Sequence, residues 1–350
     1  MEEIIEKLKR ESINQLFSYP KTTKKQEIKY YLKRILRSKH TPKRDFYFWP
    51  HALLTQALEE GEELEVLKRY YDSWIKKGLP IRNIDNVMNG YSLLYVYEKT
   101  QEETYRKAAD TLYQYLVQYE KEMNYSIPYR KAMPEHVYVD GVGMIAPFLC
   151  RYGDMFKKKE AMELGMKQIL DFCHYGIDEA SGLPYHGYHT KENIKYGIIG
   201  WGRAVGWLLL AIADSMEYLP QGEKKRQVQI YFNKLIENVI TYLREDGYFS
   251  WQLSAIEGPK DTSATAMIGY AIKKGQEFLI LTEEQGCEKQ CSMDWELKIK
   301  KMKDALLSSY KNGNIYDCSG ECHGFSQYPQ IYGAYPWSLG PGMRFLIMTD

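Results

Sequence analysis

The sequence predicts an all-α fold, a closed (α/α)6 barrel formed by residues 1–350 as one domain, on three observations. Strand signals are scarce. Two kinds of helical segment alternate along the chain, six of each, at spacings of roughly 40–75 residues, the signature of a helical-hairpin array. Turn punctuation gathers just before or at the start of one kind only: Asn89-Gly90, Asp140-Gly141, Gly200 and Asp261.

The first kind of segment is amphipathic. In 24–37, Ile28, Tyr31, Leu32, Ile35 and Leu36 fall at helical spacing, and in 227–243 the stripe is Val228, Phe232, Leu235, Val239 and Tyr242. Similar stripes run through 63–76, 102–119, 156–173 and 293–309. Each predicts a surface helix with one buried face. The second kind is short, apolar nearly all round and rich in small residues. These segments start at Trp49, Gly90, Asp140, Gly202, Ser263 and Pro336. A helix apolar on every side is buried on every side, and small residues let neighbours approach closely. Six such helices inside six amphipathic ones make a closed ring. An open solenoid would expose the apolar segments on its concave face.

The ring gives polar residues on the loops entering the inner helices a common destination at one end, so a site is expected there. Composition narrows the partners. The net charge is +1, which favours neither nucleic acid nor a membrane surface. The start, MEEIIEKLKRES, has no apolar core of a secretory signal, and no apolar run reaches the roughly 20 residues of a membrane span. The six cysteines (Cys150, Cys173, Cys287, Cys291, Cys318 and Cys322) contain no C-x-x-C pair, which predicts free thiols in a reducing cytoplasm. Thirty-one tyrosines suit either core packing or a cleft where rings stack on sugars.

Two acids stand at equivalent places, Asp85 in NIDNVMNGYSLL and Asp140 in HVYVDGVGMIAPF. Either alone would serve as a helix N-cap. Two at corresponding rim positions suggest a carboxylate pair for acid/base work on sugars. The flanking Val137, Tyr138, Val139 and Val142 would favour the protonated form of Asp140, as a proton donor requires. A second cluster joins His186 and His189 to Trp201, Arg203 and Trp207. An arginine between two tryptophans suits an anionic sugar, the guanidinium holding its carboxylate and the indoles stacking on the ring. Metal binding by His186 and His189 is disfavoured by the intervening Gly187-Tyr188. Gly141-x-Gly143-x-x-Ala146 matches a dinucleotide fingerprint but lacks the surrounding βαβ pattern. Cys318-x-x-x-Cys322-His323 lacks a second cysteine pair of matching spacing.

Taken in order, D-N-V-x-N-G-x-S-L-L-Y-V-Y-E-K-T from Asp85, V-D-G-V-G-M-x-x-P-F-L from Val139, G-W-G-R-A-V-G-W from Gly200, S-A-T-A-M from Ser263 and Y-P-W at 335–337 resemble the unsaturated glycuronyl hydrolases of families 88 and 105, the second more closely. The resemblance runs from about Trp49 to Phe345. It implies an (α/α)6 barrel that removes a Δ4,5-unsaturated uronic acid from the non-reducing end of fragments left by polysaccharide lyases, rhamnogalacturonan among the sources. It implies Asp140 as the catalytic acid/base, Asp85 as the second essential acid, and His186, Trp201, Arg203, Trp207, Met144, Arg130 and Trp49 as substrate-binding residues. No metal or organic cofactor is implied, and the partner is a small oligosaccharide for a monomer or homodimer. Three departures bear on the neighbouring sugar. Tyr129-Arg130-Lys131 replaces a His-Lys pair, Val142 and Gly143 stand where relatives often have a large aromatic, and the Tyr47–His51 stretch lacks a usual glycine. The competing readings are another (α/α)6 carbohydrate enzyme, such as an ordinary glycosidase or an epimerase, a non-catalytic glycan-binding protein, and a helical scaffold for protein partners.

Overall fold

A computed structural model describes residues 1–19, 47–119, 126–276 and 288–350, the last stretch with side chains from residue 295. The apolar segments become inner helices: α2 (Trp49–Glu60), α5 (Gly90–Thr100), α7 (Val139–Met155), α9 (Gly202–Met216), α11 (Thr262–Gly275) and α13 (Pro336–Met348). Every residue of α9 is buried, as expected of a helix apolar on all sides. Each inner helix packs on the next, and α13 packs on α2, so the ring closes. Small residues permit this approach. A Cβ on Gly143 would lie 2.8 Å from the Trp207 carbonyl oxygen in α9, and one on Gly340 would lie 2.5 Å from that of Leu53 in α2.

The amphipathic segments form the outer layer. These are α3 (Leu64–Lys76), α6 (Glu103–Gln118), α8 (Lys159–Tyr175), α10 (Glu223–Ile240) and α12 (Glu288–Ser308). The sixth outer position is taken by α1 (Glu2–Ser18), which packs on α2 and α13. The expected helix over 24–37 lies outside the described residues. So do Cys287 and the side chain of Cys291, while Cys150, Cys173, Cys318 and Cys322 are free thiols. A short helix, α4 (Ile84–Val87), leads into α5. None of the helices among the described residues is long and apolar enough to cross a membrane.

Three short antiparallel strands, β1 (His136–Tyr138), β2 (Gly187–His189) and β3 (Lys195–Tyr196), lie at the end of the ring where the inner helices begin. In this sheet His136 faces His189 and Tyr138 faces Gly187. Gly141 and Gly143 lie inside α7, after an antiparallel strand, so they form no phosphate-binding turn.

One buried histidine makes the fold sensitive to acid. His51 in α2 is fully buried, with Nε2 bonded to the Tyr19 carbonyl oxygen at 3.0 Å. Burial pushes its pKa from 6.5 down to about 3. The unfolded chain therefore takes up the proton first. His51 contributes no acid penalty above pH 6.5, and its neutral form becomes a liability as pH falls from there towards 3. In that window each unit of pH costs about 1.4 kcal/mol. The His51→Gln variant, which keeps a side-chain N–H donor and cannot titrate, is expected to lose less stability on acidification. Parallel slopes of melting temperature against pH for the two proteins would remove His51 as the cause.

Candidate active site

The sheet assembles the site. Strand β1 runs directly into α7, placing Asp140 as its second residue, and the Val139 amide donates to the His186 carbonyl oxygen at 3.0 Å. His186, just before β2, is thereby held over Asp140. Its Nε2 lies 2.9 Å from Asp140 Oδ2, and its Nδ1 lies 2.8 Å from the Tyr328 hydroxyl. The Ile198 amide donates to that same Tyr328 oxygen at 3.4 Å. The Tyr328 O–H can donate to Nδ1, since accepting from an amide leaves its own proton to give. In the tautomer with its proton on Nε2, His186 donates to Asp140 Oδ2, which leaves Oδ1 to hold a transferable proton.

Neither acid is a helix cap. The N-cap of α7 is Tyr138, and no side chain bonds that end of the helix. Asp85 is the second residue of α4, whose capping bonds are exchanged between Asn83 and Asn86. Asp85 instead receives Arg130 Nη1 at 3.1 Å, and Arg130 lies over the Tyr129 ring at 4.4 Å. Burial raises the Asp85 carboxyl above its ordinary value, Arg130 opposes that, and the nearby Asp140 charge reinforces it. The two acids thus sense each other, as expected of a carboxylate pair. Lys131 points elsewhere, over Tyr115 and Tyr119, so Arg130 is the cation at the site.

The setting of Asp140 is more polar than its valine flanks suggest. Val137, Val139 and Val142 join the core, and the neighbours of the carboxylate are His186 and Cys322. The expected Trp201–Arg203–Trp207 platform is also different. Arg203 Cζ lies 4.7 Å from the Trp201 ring centroid and 5.6 Å from that of Trp337. Trp207 is buried beneath, edge-on to Trp49 at 5.9 Å, because its place is the contact with Gly143. Met144, one turn below Asp140 on α7, belongs to the same buried layer.

Arg203 is itself buried and holds a returning segment of chain. Nη1 donates to Ser263 Oγ at 3.2 Å and to Ser319 Oγ at 2.9 Å, and Nη2 donates to the Gly320 carbonyl oxygen at 2.7 Å. Both serines are bonded in turn to Asp261, which caps α11. The two buried charges therefore meet through two hydroxyls. Arg203→Lys keeps the charge and loses the fork. We expect it to lower the melting temperature by loosening residues 319–320. A raised KM at unchanged melting temperature would instead make the guanidinium a direct clamp on substrate.

Residues 320–335 complete the mouth. Phe325 packs on Tyr138 with centroids 3.9 Å apart and stacks on Tyr196 at 5.5 Å, in space that a side chain at Gly187 would fill. Tyr328, Phe325 and Ser319 are site residues that the motifs did not single out, and Trp337 entered only through the closing Y-P-W motif. The site is a narrow crevice at the mouth, beside Trp201, Trp251 and Tyr328.

The chain as a whole has counterparts among known proteins. The sequence profile described as Glycosyl Hydrolase Family 88 matches residues 44–315. The chain belongs to that family. The unsaturated rhamnogalacturonyl hydrolase YesR of Bacillus subtilis is 26% identical over 175 residues, covering 48% of this chain and 51% of that protein. The chain thus spans about half the length of this curated relative. Among solved structures, a possible GH105 family member from Salmonella enterica subsp. enterica serovar Paratyphi A superposes with a TM-score of 0.80 at 15% identity, over 98% of this chain and 93% of that one. The unsaturated glucuronyl hydrolase of Bacillus sp. GL1 gives a TM-score of 0.68 at 16% identity, over 89% and 88% of the two chains. At these identities the likeness is one of fold, and this family 88 member has the closed ring those structures share.

Proposed function

We propose that the chain hydrolyses oligosaccharides left by polysaccharide lyases, removing the Δ4,5-unsaturated uronic acid at their non-reducing end, with rhamnogalacturonan fragments as the preferred source. The observation that carries this reading is Asp140, held by the Tyr328–His186 relay beside Asp85 at the mouth of a family 88 ring. Membership of that family and the name of the relative YesR support the substrate class.

The chemistry suits one acid with a free oxygen. The substrate ring has a C4=C5 double bond conjugated with its carboxylate, and C5 also bears the ring oxygen. Asp140 gives its proton to C4, which leaves an oxocarbenium-like cation at C5. Asp140, now a carboxylate, takes a proton from the water that adds to C5. The hemiketal so formed opens, and the bond from C1 to the neighbouring sugar then breaks. The acid ends the cycle protonated, so no covalent glycosyl-enzyme is formed and the link between carboxylate spacing and stereochemistry does not apply. His186 steadies the charge on Oδ2 throughout, and Asp85 with Arg130 faces the ring from α4.

Reaction in deuterated water tests this. Deuterium is expected at C4 of the released uronic acid, the ultraviolet absorbance of the conjugated bond is expected to vanish, and a saturated uronide should survive. Cleavage of the saturated uronide at a comparable rate, or product without deuterium at C4, would favour an ordinary glycosidase. Four free thiols fit a reducing cytoplasm as the place of action.

A further inference from the structure

The motif Cys318-x-x-x-Cys322-His323 has no part in the hydrolysis, yet the fold gives one of its residues an unusual neighbourhood. Residues 318–320 are tied down by Arg203, Trp337 and Asp261. From that anchor the chain turns across the mouth, and Cys322 comes to rest beside the catalytic acid. A carboxylate oxygen of Asp140, a ring nitrogen of His186 and Cys322 Sγ all lie within 4.8 Å of one another. Asp140 and His186 are buried, and Cys322 is partly open to the crevice.

We propose that Asp140, His186 and Cys322 form a binding site for a thiophilic divalent cation such as Zn2+ or Cd2+, and that its occupation reversibly blocks hydrolysis.

The donor set is that of a borderline-soft metal: one thiolate, one imidazole, one carboxylate, with a fourth tetrahedral position left open. Tetrahedral zinc with bonds of about 2.0–2.3 Å spaces its ligand atoms roughly 3.3–3.8 Å apart. His186 Nε2 and Asp140 Oδ2 need to separate slightly from 2.9 Å, and the 4.8 Å limit on the triangle leaves Sγ at most a short approach. Two anionic ligands cancel the charge of the ion, which suits a site this buried. The outer contact is also present. A metal on Nε2 moves the ring proton to Nδ1, and the Tyr328 hydroxyl 2.8 Å away can accept from it, as second-shell partners of metal-bound histidines do. The harder cations Mg2+ and Ca2+ prefer all-oxygen shells and would pass the site by.

A cation bound through Oδ2 would hold the Asp140 carboxylate ionised, so that Oδ1 has no proton to give. Its effect is therefore inhibition, competitive with substrate. That consequence rests on the proposed hydrolysis, whereas binding does not. The test uses the full chain, treated with chelator and titrated with Zn2+ by calorimetry and with Cd2+ by ultraviolet spectroscopy. One ion per chain is expected at this site, with the thiolate-to-cadmium charge-transfer band. Cys322→Ala and Cys322→Ser should abolish the band and weaken binding by about a hundredfold or more. In the parent protein Zn2+ should halt turnover, and chelator should restore it. Equal Zn2+ affinity in parent and variants, or a Cd2+ band that survives both substitutions, would overturn the proposal. A band that depends on Cys322 in a protein inert towards lyase products would uphold the metal site and defeat the proposed hydrolysis.

Discussion

Asp140→Asn is expected to lower kcat on unsaturated oligosaccharides by about 100-fold to 10,000-fold, the range that follows loss of a general acid. The amide nearly matches the carboxyl in shape and can still accept from His186 Nε2–H, so the ring should keep its stability and most of its affinity for substrate. What it lacks is the proton for C4. Steady-state kinetics with a parallel melting curve decides the matter: near-normal turnover removes Asp140 from the mechanism, and a collapse in melting temperature makes its role structural. Asp85→Asn tests the partner. It should also slow turnover severely, because the side-chain partner of Asp85 is Arg130 and the capping bonds of α4 belong to Asn83 and Asn86. A variant that merely melts earlier would assign Asp85 to holding Arg130.

The other large effect lies at the opposite end of the ring. Arg344 in α13 is buried, with Nη1 and Nη2 each 2.9 Å from an Asp214 oxygen in α9 and Nη2 3.1 Å from Glu60 of α2. Its guanidinium lies 3.9 Å from the centroid of the Tyr270 ring in α11. Burial would raise the Asp214 carboxyl, but Arg344 and Lys274 outweigh it and hold the pKa at about 2. Arg344→Met leaves a buried carboxylate with Lys274 as its remaining cation, at a cost of about 3–5 kcal/mol. Denaturant unfolding should show that loss, and KM for the folded fraction should stay unchanged because the site is at the other mouth. Arg344→Met combined with Asp214→Leu should recover part of the stability. If the single variant loses under about 1 kcal/mol, the pair is no keystone.

Much of this was legible in the sequence because it is periodic. All six apolar segments became inner helices, since burial on every side is written in composition and spacing. Helix α1 escaped because its buried face, Leu8, Ser12, Gln15 and Leu16, is half polar. At the site, Asp85, Asp140, His186 and Arg130 were findable, because each sits at or near the start of a helix or strand that a motif marks. Tyr328 and Phe325 were not. They belong to an irregular stretch whose path across the mouth depends on Arg203, Asp261 and Trp337, residues up to 117 positions away. No local pattern encodes such a return. The same limit explains the misassigned partner of Arg203: Trp207 is nearer in sequence, but Trp337 is nearer in space.

The bond between Glu60 and Arg344 joins residues 284 positions apart. A hairpin of helices can form as soon as its two members exist, but a circle has no completed state until its last arc is in place. A chain that has built five of its six inner helices therefore presents two unsatisfied apolar flanks, on α2 and α11, with nothing to shield them. Loop closure over such a distance is slow, and exposed flanks of this kind favour association between molecules. Refolding yield should accordingly fall as protein concentration rises, and the step that fails is the docking of α13. The protein that results has no free end to unzip from, so the contacts that delay its formation also retard its unravelling.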